Sequence, residues 1–287
     1  MALSLGKYQE LLKMVRTLDK IFEIIQENAN EKELAWLNEK ISNAKSTQLA
    51  FVSAPRFIGK RLISFEIEGN QTQNWTFDRL VRVYLLLKLE EMNPEGFEEQ
   101  INMLFDTAEI HESIALYSAL PLFQNPEKWL LRATDAVRSN VGDIFDSIAF
   151  NNVYPVKYFS ELAWNQLVLK CIFNEKPIHQ IIGLDSRANQ HLADTLSDFA
   201  HERWAAGRRI PSQVWRLVTN FLNEIIIKDL ESLFLSNDLQ NQIAATLVCS
   251  QTTNSEAKDL LNKYSLAINP EMLSWEYLEN QSAICYG

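Results

Sequence analysis

The sequence predicts an all-α protein of stacked helical hairpins, either an irregular α-solenoid of HEAT or TPR type or a helical bundle. Three observations predict it. Glycine and proline are scarce, eight of each in 287 residues, so the chain carries few breakers. Hydrophobic residues make up 47%, enough for one large or two modest cores. Apolar residues recur with helical period in segments of about 10 to 16 residues separated by short turns, a length at which one hairpin cannot bury its own apolar face.

The elements follow in order. Tyr8, Leu11, Leu12, Val15, Leu18, Phe22 and Ile25 share one face of a long helix. Asn30 with Glu33 forms a capping-box pattern and opens a second helix carrying Leu34, Leu37 and Ile41. Residues 1–60 therefore read as an N-terminal helical hairpin. From Ala54 to Asn74 the helical period is lost, and Leu62 to Glu68 alternates as a short extended piece would. Residues 75–287 read as the main helical body, with 151–216 its most characteristic block. Asn-Pro-Glu occurs at Asn93, Asn125 and Asn269, each predicted to start a helix with an N-cap amide, a proline at N1 and an acid in the first turn. Helices are predicted at Thr76 to Glu91, Pro94 to Thr107, Ile110 to Leu120, Pro126 to Ser139 and Val141 to Ala149. Ile225 to Ser236, Asp238 to Ser250 and Ser255 to Tyr264 continue the same rhythm.

The block 151–216 holds the candidate functional residues. One helix follows Ser160 as N-cap and runs through Phe173, with Gln166 and Lys170 on its polar side and Asn165 set among apolar neighbours. A second follows Asn189 and stops at Gly207, with Leu192, Leu196, Phe199, Ala200 and Trp204 on its apolar face. Arg203 projects into that face; Asp194, Asp198 and His201 lie opposite. A guanidinium keeps its charge, so Arg203 needs an anion or a route to water. Asn165 and Arg203 are therefore predicted to share a buried network, with Asp185 or Asp198 as the carboxylate and the backbone around Gly183 receiving Asn165. Arg203→Ala should then lower the melting temperature and His201→Ala should barely move it.

The ligand- or partner-binding candidates are Trp164, Asn165, Lys170, His179, Arg203, Trp204, Arg208 and Trp215. The three tryptophans either line an apolar groove or pack as core. His179, just after Pro177, either caps a short helix or meets a ligand. Arg208 and Arg209 sit in a loop near Arg203, where they serve solubility or an anion. Asp198 and His201 have metal-binding i, i+3 spacing, but no second such pair or HExxH accompanies them, and a solvated helix face is the simpler reading. His111 is read as ordinary surface. The sequence has no Gly-rich phosphate loop, GxSxG elbow, CxxC or aspartate-rich diphosphate motif, so no catalytic residue, metal or cofactor is assigned. Cys171 is read as a small buried hydrophobe.

The chain has a net charge of −10, while residues 151–216 carry eight Lys or Arg against six Asp or Glu, leaving −12 for the remainder. That balance excludes a general nucleic-acid binder. The N-terminus has no apolar core of a secretory signal, and no stretch approaches the ~20 apolar residues that span a bilayer. The expectation is a cytoplasmic protein with no direct membrane insertion, touching membranes through a partner.

The strings YPVKYFSELAWNQLVLKCIF, PIHQIIGLDSRAN and LSDFAHERWAAGRRIPSQVWR, and upstream WTFDRLVRVYLLL and ALYSALPLFQNPEKWLLRATDAVRSN, resemble the EboA family. The resemblance leaves out residues up to about Gln73 and beyond about Glu231. It implies helical structure and a place in bacterial secondary-metabolite precursor traffic. Its implied partners are products of the same gene cluster, a UbiA-type membrane prenyltransferase and TIM-barrel proteins. The expected function is a non-enzymatic scaffold or carrier for delivery to or across the membrane. The alternative is an enzyme or small-molecule binder acting on an apolar metabolite, prenylated or not, in a central aromatic and basic groove.

Overall fold

The computed structural model describes residues 5–67, 70–264 and 268–285. Among these the chain is α-helical apart from one two-stranded antiparallel hairpin, and it divides into two compact units, Met1–Phe159 and Ser160–Gly287. Both strands, Leu62–Ile67 and Asn70–Thr76, belong to the first unit.

The first unit contains α1 (Leu5–Asn28), α2 (Glu31–Lys40), α3 (Ala44–Ser53), β1 (Leu62–Ile67) and β2 (Asn70–Thr76). It continues through α4 (Phe77–Met92), α5 (Phe97–Thr107), α6 (Ile110–Ala119), α7 (Leu130–Arg138), α8 (Gly142–Ala149) and the short α9 (Tyr154–Tyr158). Leu18, Ile21 and Ile25 of α1 are buried; Tyr8 to Val15 lie outside the residues whose side chains are described. The capping box at Asn30 and Glu33 forms as predicted. The extended piece is real, but it is one half of a hairpin: Ile63 pairs with Trp75 before a register shift brings Phe65 opposite Thr72. Glu68 lies outside the described residues.

The centre is α4. Phe77, Leu80, Val81, Val83, Leu85, Leu86, Leu87 and Leu89 are all buried, so it is apolar nearly all round, as a helix enclosed by others must be. It packs against α1, α3 and α6. Arg82 is buried within it and must be paired. Its Nε donates to the Phe51 carbonyl at 3.1 Å, and its Nη2 lies 3.5 Å from Glu109 and 3.8 Å from Glu112.

The second unit contains α10 (Glu161–Phe173), α11 (Gln190–Ala205), a 3-10 segment at Ser212–Val218, α12 (Glu224–Leu235), α13 (Leu239–Gln251), α14 (Ser255–Lys263) and α15 (Trp275–Cys285). Its central helix is α13, whose Ile243, Ala244, Ala245, Val248 and Cys249 are buried against α12, α14 and the 3-10 segment. Ser160 caps α10 and Asn189 caps α11 as predicted. Gly207, at φ +66°, ends α11 in a Schellman motif: Gly207 N–H reaches the Trp204 carbonyl and Arg208 N–H the Arg203 carbonyl.

The Asn-Pro-Glu predictions need correction. At all three positions the motif makes a single turn, and the α-helix begins later, at Phe97, Leu130 and Trp275. Asn93 and Asn269 spend their side chains on the N–H groups of Gly96 and Glu271, which close those turns locally.

Candidate functional site

The predicted network between Asn165 and Arg203 does not form. Asn165 is buried, but its partner is Asn189: each amide donates to the other, at 3.1 and 2.8 Å. Asn189 also caps α11 by accepting from Leu192 N–H, so this pair fixes the start of α11 on the flank of α10. Arg203 is held elsewhere. Its Nε donates to the Arg209 carbonyl at 2.8 Å, which the Schellman turn folds back, and its Nη2 donates to Glu175 at 3.1 Å, so neither Asp185 nor Asp198 is its carboxylate.

The other candidates scatter across the second unit. Trp164 and Trp215 are fully buried core side chains; the Arg187 guanidinium lies 4.8 Å over the Trp164 ring. Trp204 is half-buried and stacks on Trp215 at 5.9 Å. Lys170 is half-buried on α10, and Arg208 is exposed in its loop. Cys171 is buried as expected, and His111 is exposed. His179 sits in a 3-10 turn, Ile178–Gln180, with its Nδ1 shut off from water and no hydrogen-bond partner.

His201 is not on a merely solvated face. Its Nε2 donates to Asp229 Oδ1 at 2.6 Å, and Ser197 Oγ donates to Asp229 Oδ2 at 2.5 Å. Asp229 is buried on α12, so the three side chains fasten α11 to α12. The carboxylate stands between serine and histidine. A hydrolytic triad needs the imidazole in that middle place, bonded to the hydroxyl it deprotonates, so this arrangement does not activate Ser197.

The residue at the centre of the site, Arg216, is one the sequence analysis passed over, while Asp185 was named only as a partner for Arg203 and His179 was among the binding candidates. In Ser212–Val218 the side chains of Val214, Trp215, Leu217 and Val218 turn into the core, which leaves Arg216 half-buried at the surface. Gly183, at φ +80°, lets the chain turn sharply into the 3-10 turn Asp185–Arg187, which presents Asp185 to that guanidinium. Arg216 Nε and Nη2 reach the two oxygens of Asp185, both at 2.6 Å, a bidentate fork. Arg216 Nη1 donates to Glu279 of α15. One helical turn before Glu279, on the same face, Trp275 lies with its ring 5.7 Å from the guanidinium carbon and its Nε1 donating to Gln251 at 3.1 Å. Burial opposes the charge on Arg216, but hydrogen bonds and charges from Asp185 and Glu279 outweigh it and hold its pKa above the ordinary value.

This ion pair lines two clefts. The larger holds about 350 Å³ and is lined by Asp185, Arg216, Thr219, Phe221, Gln251 and Trp275, among others. The smaller holds about 220 Å³ and is lined by His179, Ile181, Leu184, Asp185, Ser186 and Arg216, among others. The larger matches the low end of small-molecule sites and mixes two aromatic walls with a hydroxyl, an amide and a carboxylate. Among the described residues no cluster of His, Cys, Asp and Glu is arranged to hold a metal ion, and no helix is long and apolar enough to cross a membrane.

The structure thus defines an all-α protein whose second unit carries a divided, ligand-sized cleft. Residues 17–219 match the family model of the metabolite traffic protein EboA, well over half of the chain, and the protein belongs to that family. The match begins far upstream of the strings that carry the resemblance and ends three residues beyond Arg216. No curated protein and no solved structure gives a significant match.

Proposed function

We propose that this protein is a non-enzymatic carrier and scaffold in secondary-metabolite precursor traffic, and that the divided cleft at Arg216 is where it holds the small molecule. The double cleft carries this reading, because two concave spaces share one ion pair inside the second unit and most of their lining falls within the family match. Two further features support holding rather than turnover: Arg216 is already neutralised by two carboxylates, and Asp229 keeps Ser197 and His201 apart. The walls suit a compound with an apolar or aromatic body, against Phe221 and Trp275, and hydrogen-bonding groups, toward Thr219, Asn220 and Asp185. Its partners in this reading are the cluster's membrane prenyltransferase and TIM-barrel proteins, and its location is cytoplasmic.

The test is mass spectrometry of the small molecules released on denaturing protein purified from its native host. Wild type should release one dominant compound. Trp275→Ala, which removes a wall of the larger cleft, and Ser186→Trp, which fills the smaller, should release far less. No compound from wild type, or equal loading of all three, would refute the site. Affinity capture in mild detergent tests the scaffold role: recovery of no other cluster product removes it. Trp164 and Trp215 are closed into the core, which weighs against the aromatic groove of the enzyme-or-binder alternative.

A further inference from the structure

From Lys40 to Phe65 the chain carries Lys40, Lys45, Arg56, Lys60 and Arg61 and no Asp or Glu, within a protein of net charge −10. The fold turns this composition into a surface. Lys45, Leu49, Val52 and Arg56 follow at i, i+4, i+7 and i+11, so they form one stripe along α3 and the 3-10 turn Ala54–Arg56 that continues it. All four are exposed, whereas Thr47, Ala50, Phe51 and Ala54 face inward. Leu49 is 64% exposed and Val52 52%, well beyond what packing would leave to a core helix. Just past the stripe Phe57 is 52% exposed, though one face of its ring stacks on Trp36, and Leu62 at the start of β1 is 68% exposed. Among the described residues Lys45, Arg56 and Lys60 pair with no carboxylate. Lys40 and Arg61 are engaged, by Glu39 and Glu33.

We propose that this stripe is a peripheral docking surface for an anionic lipid bilayer. The chemistry favours a bilayer over a protein. Leu49 and Val52 protrude rather than line a groove, and the acyl–headgroup boundary receives protruding apolar side chains without needing a complementary shape. The unpaired cations flank them at the level where lipid phosphates lie. The rest of the chain is acidic on balance, so an anionic membrane favours this face over most of the remaining surface. Adsorption is shallow and reversible, because a few side chains enter the boundary and, among the described residues, no helix is long and apolar enough to cross it. In this proposal the protein meets the membrane directly as well as through a partner.

The experiment is co-sedimentation of the full chain with phosphatidylcholine vesicles, with and without about a third of phosphatidylglycerol. The chain should sediment with the anionic vesicles, stay in solution with the neutral ones and be released by raised salt. Leu49→Glu with Val52→Glu, and separately Lys45→Glu with Arg56→Glu, should each weaken partitioning by at least about tenfold. Leu131→Glu, at a leucine 71% exposed on α7, should leave it unchanged. Because every altered side chain is exposed, circular dichroism melts of the variants should match wild type. The proposal fails if the chain ignores anionic vesicles or if the two stripe variants bind like wild type. It also fails if sedimentation appears only when the vesicles carry a membrane protein, which would make the stripe a protein interface.

Discussion

Arg216→Met tests whether the ion pair at the divided cleft holds α15 in place. Methionine keeps much of the apolar stem and removes the charge and all of its hydrogen bonds. Asp185 is more than half exposed and turns to water at little cost, so its fork contributes about 1 kcal/mol after solvent screening. Glu279 is mostly buried and is left as an uncompensated carboxylate, worth a further 2 kcal/mol or so. The loss is therefore roughly 3 kcal/mol, a drop of about 10 °C in the melting temperature of a unit this size. Urea unfolding of Arg216→Met, Glu279→Gln and the double variant isolates the pairwise part, which should be about 1 to 2 kcal/mol. Hydrogen exchange should show α15 opening earlier in both single variants. A coupling below about 0.5 kcal/mol with unchanged exchange in α15 would show that Arg216 does not hold this helix.

Three further outcomes follow from the charges. Hydrogen bonds from Arg61, opposed by desolvation and helped by the N–H groups of Asn30 and Gly59, lower the pKa of Glu33 to about 2, so its stabilisation is full above 4.5 and is lost as pH falls from 4.5 toward 2. Glu33→Gln should cost up to about 3 kcal/mol at neutral pH, and the difference from wild type should shrink across that window in pH-dependent urea melts. Glu90 has the opposite sign: burial, only partly offset by the Gln124 N–H, raises its pKa to about 7, so the folded state favours the protonated form and stability is lost as pH rises from 4.5 through 7. Glu90→Gln should flatten that loss and melt higher than wild type at pH about 8, by up to about 3 kcal/mol; a lower melting point there would overturn the reading. Asp229→Ala should cost about 2 to 3 kcal/mol by stranding Ser197 and His201, and His201→Ala should cost about half of that or more, against the sequence expectation of almost nothing. Matching thermal melts of the three proteins would show the cluster to be ornamental.

How far the sequence carried depended on whether the physics was local. Helix ends with a single capping residue, such as Ser160, Asn189 and Gly207, were legible because the side chain or glycine closes the turn it belongs to. The Asn-Pro-Glu motifs misled because the same asparagine satisfies a turn as well as a helix start. Strand β2 reads as a polar run and exists through its pairing with β1, which composition does not report. Asn165 was legible as a buried amide, but its partner was not: a capping Asn189 has its NH₂ group to spare, and only packing of α10 against α11 brings the two together. Arg203 was legible as a charge on an apolar face, while the carbonyl that receives it arrives through the turn at Gly207.

The site lies at the far end of this scale, since Arg216 meets Asp185 across 31 residues and Glu279 across 63. It also divides along the chain in a way that bears on function. The smaller cleft is lined entirely by residues between His179 and Arg216, inside the family match. The larger takes Gln251 and Trp275 from beyond residue 219, and these are joined to each other and to Arg216 through α15. A compound held against His179 would therefore meet only residues inside the matched range, whereas one in the larger cleft would also meet a wall from outside it. In the proposed carrier, the matched region then forms the whole of the smaller cleft, and the larger is completed by α13 and the C-terminal helix.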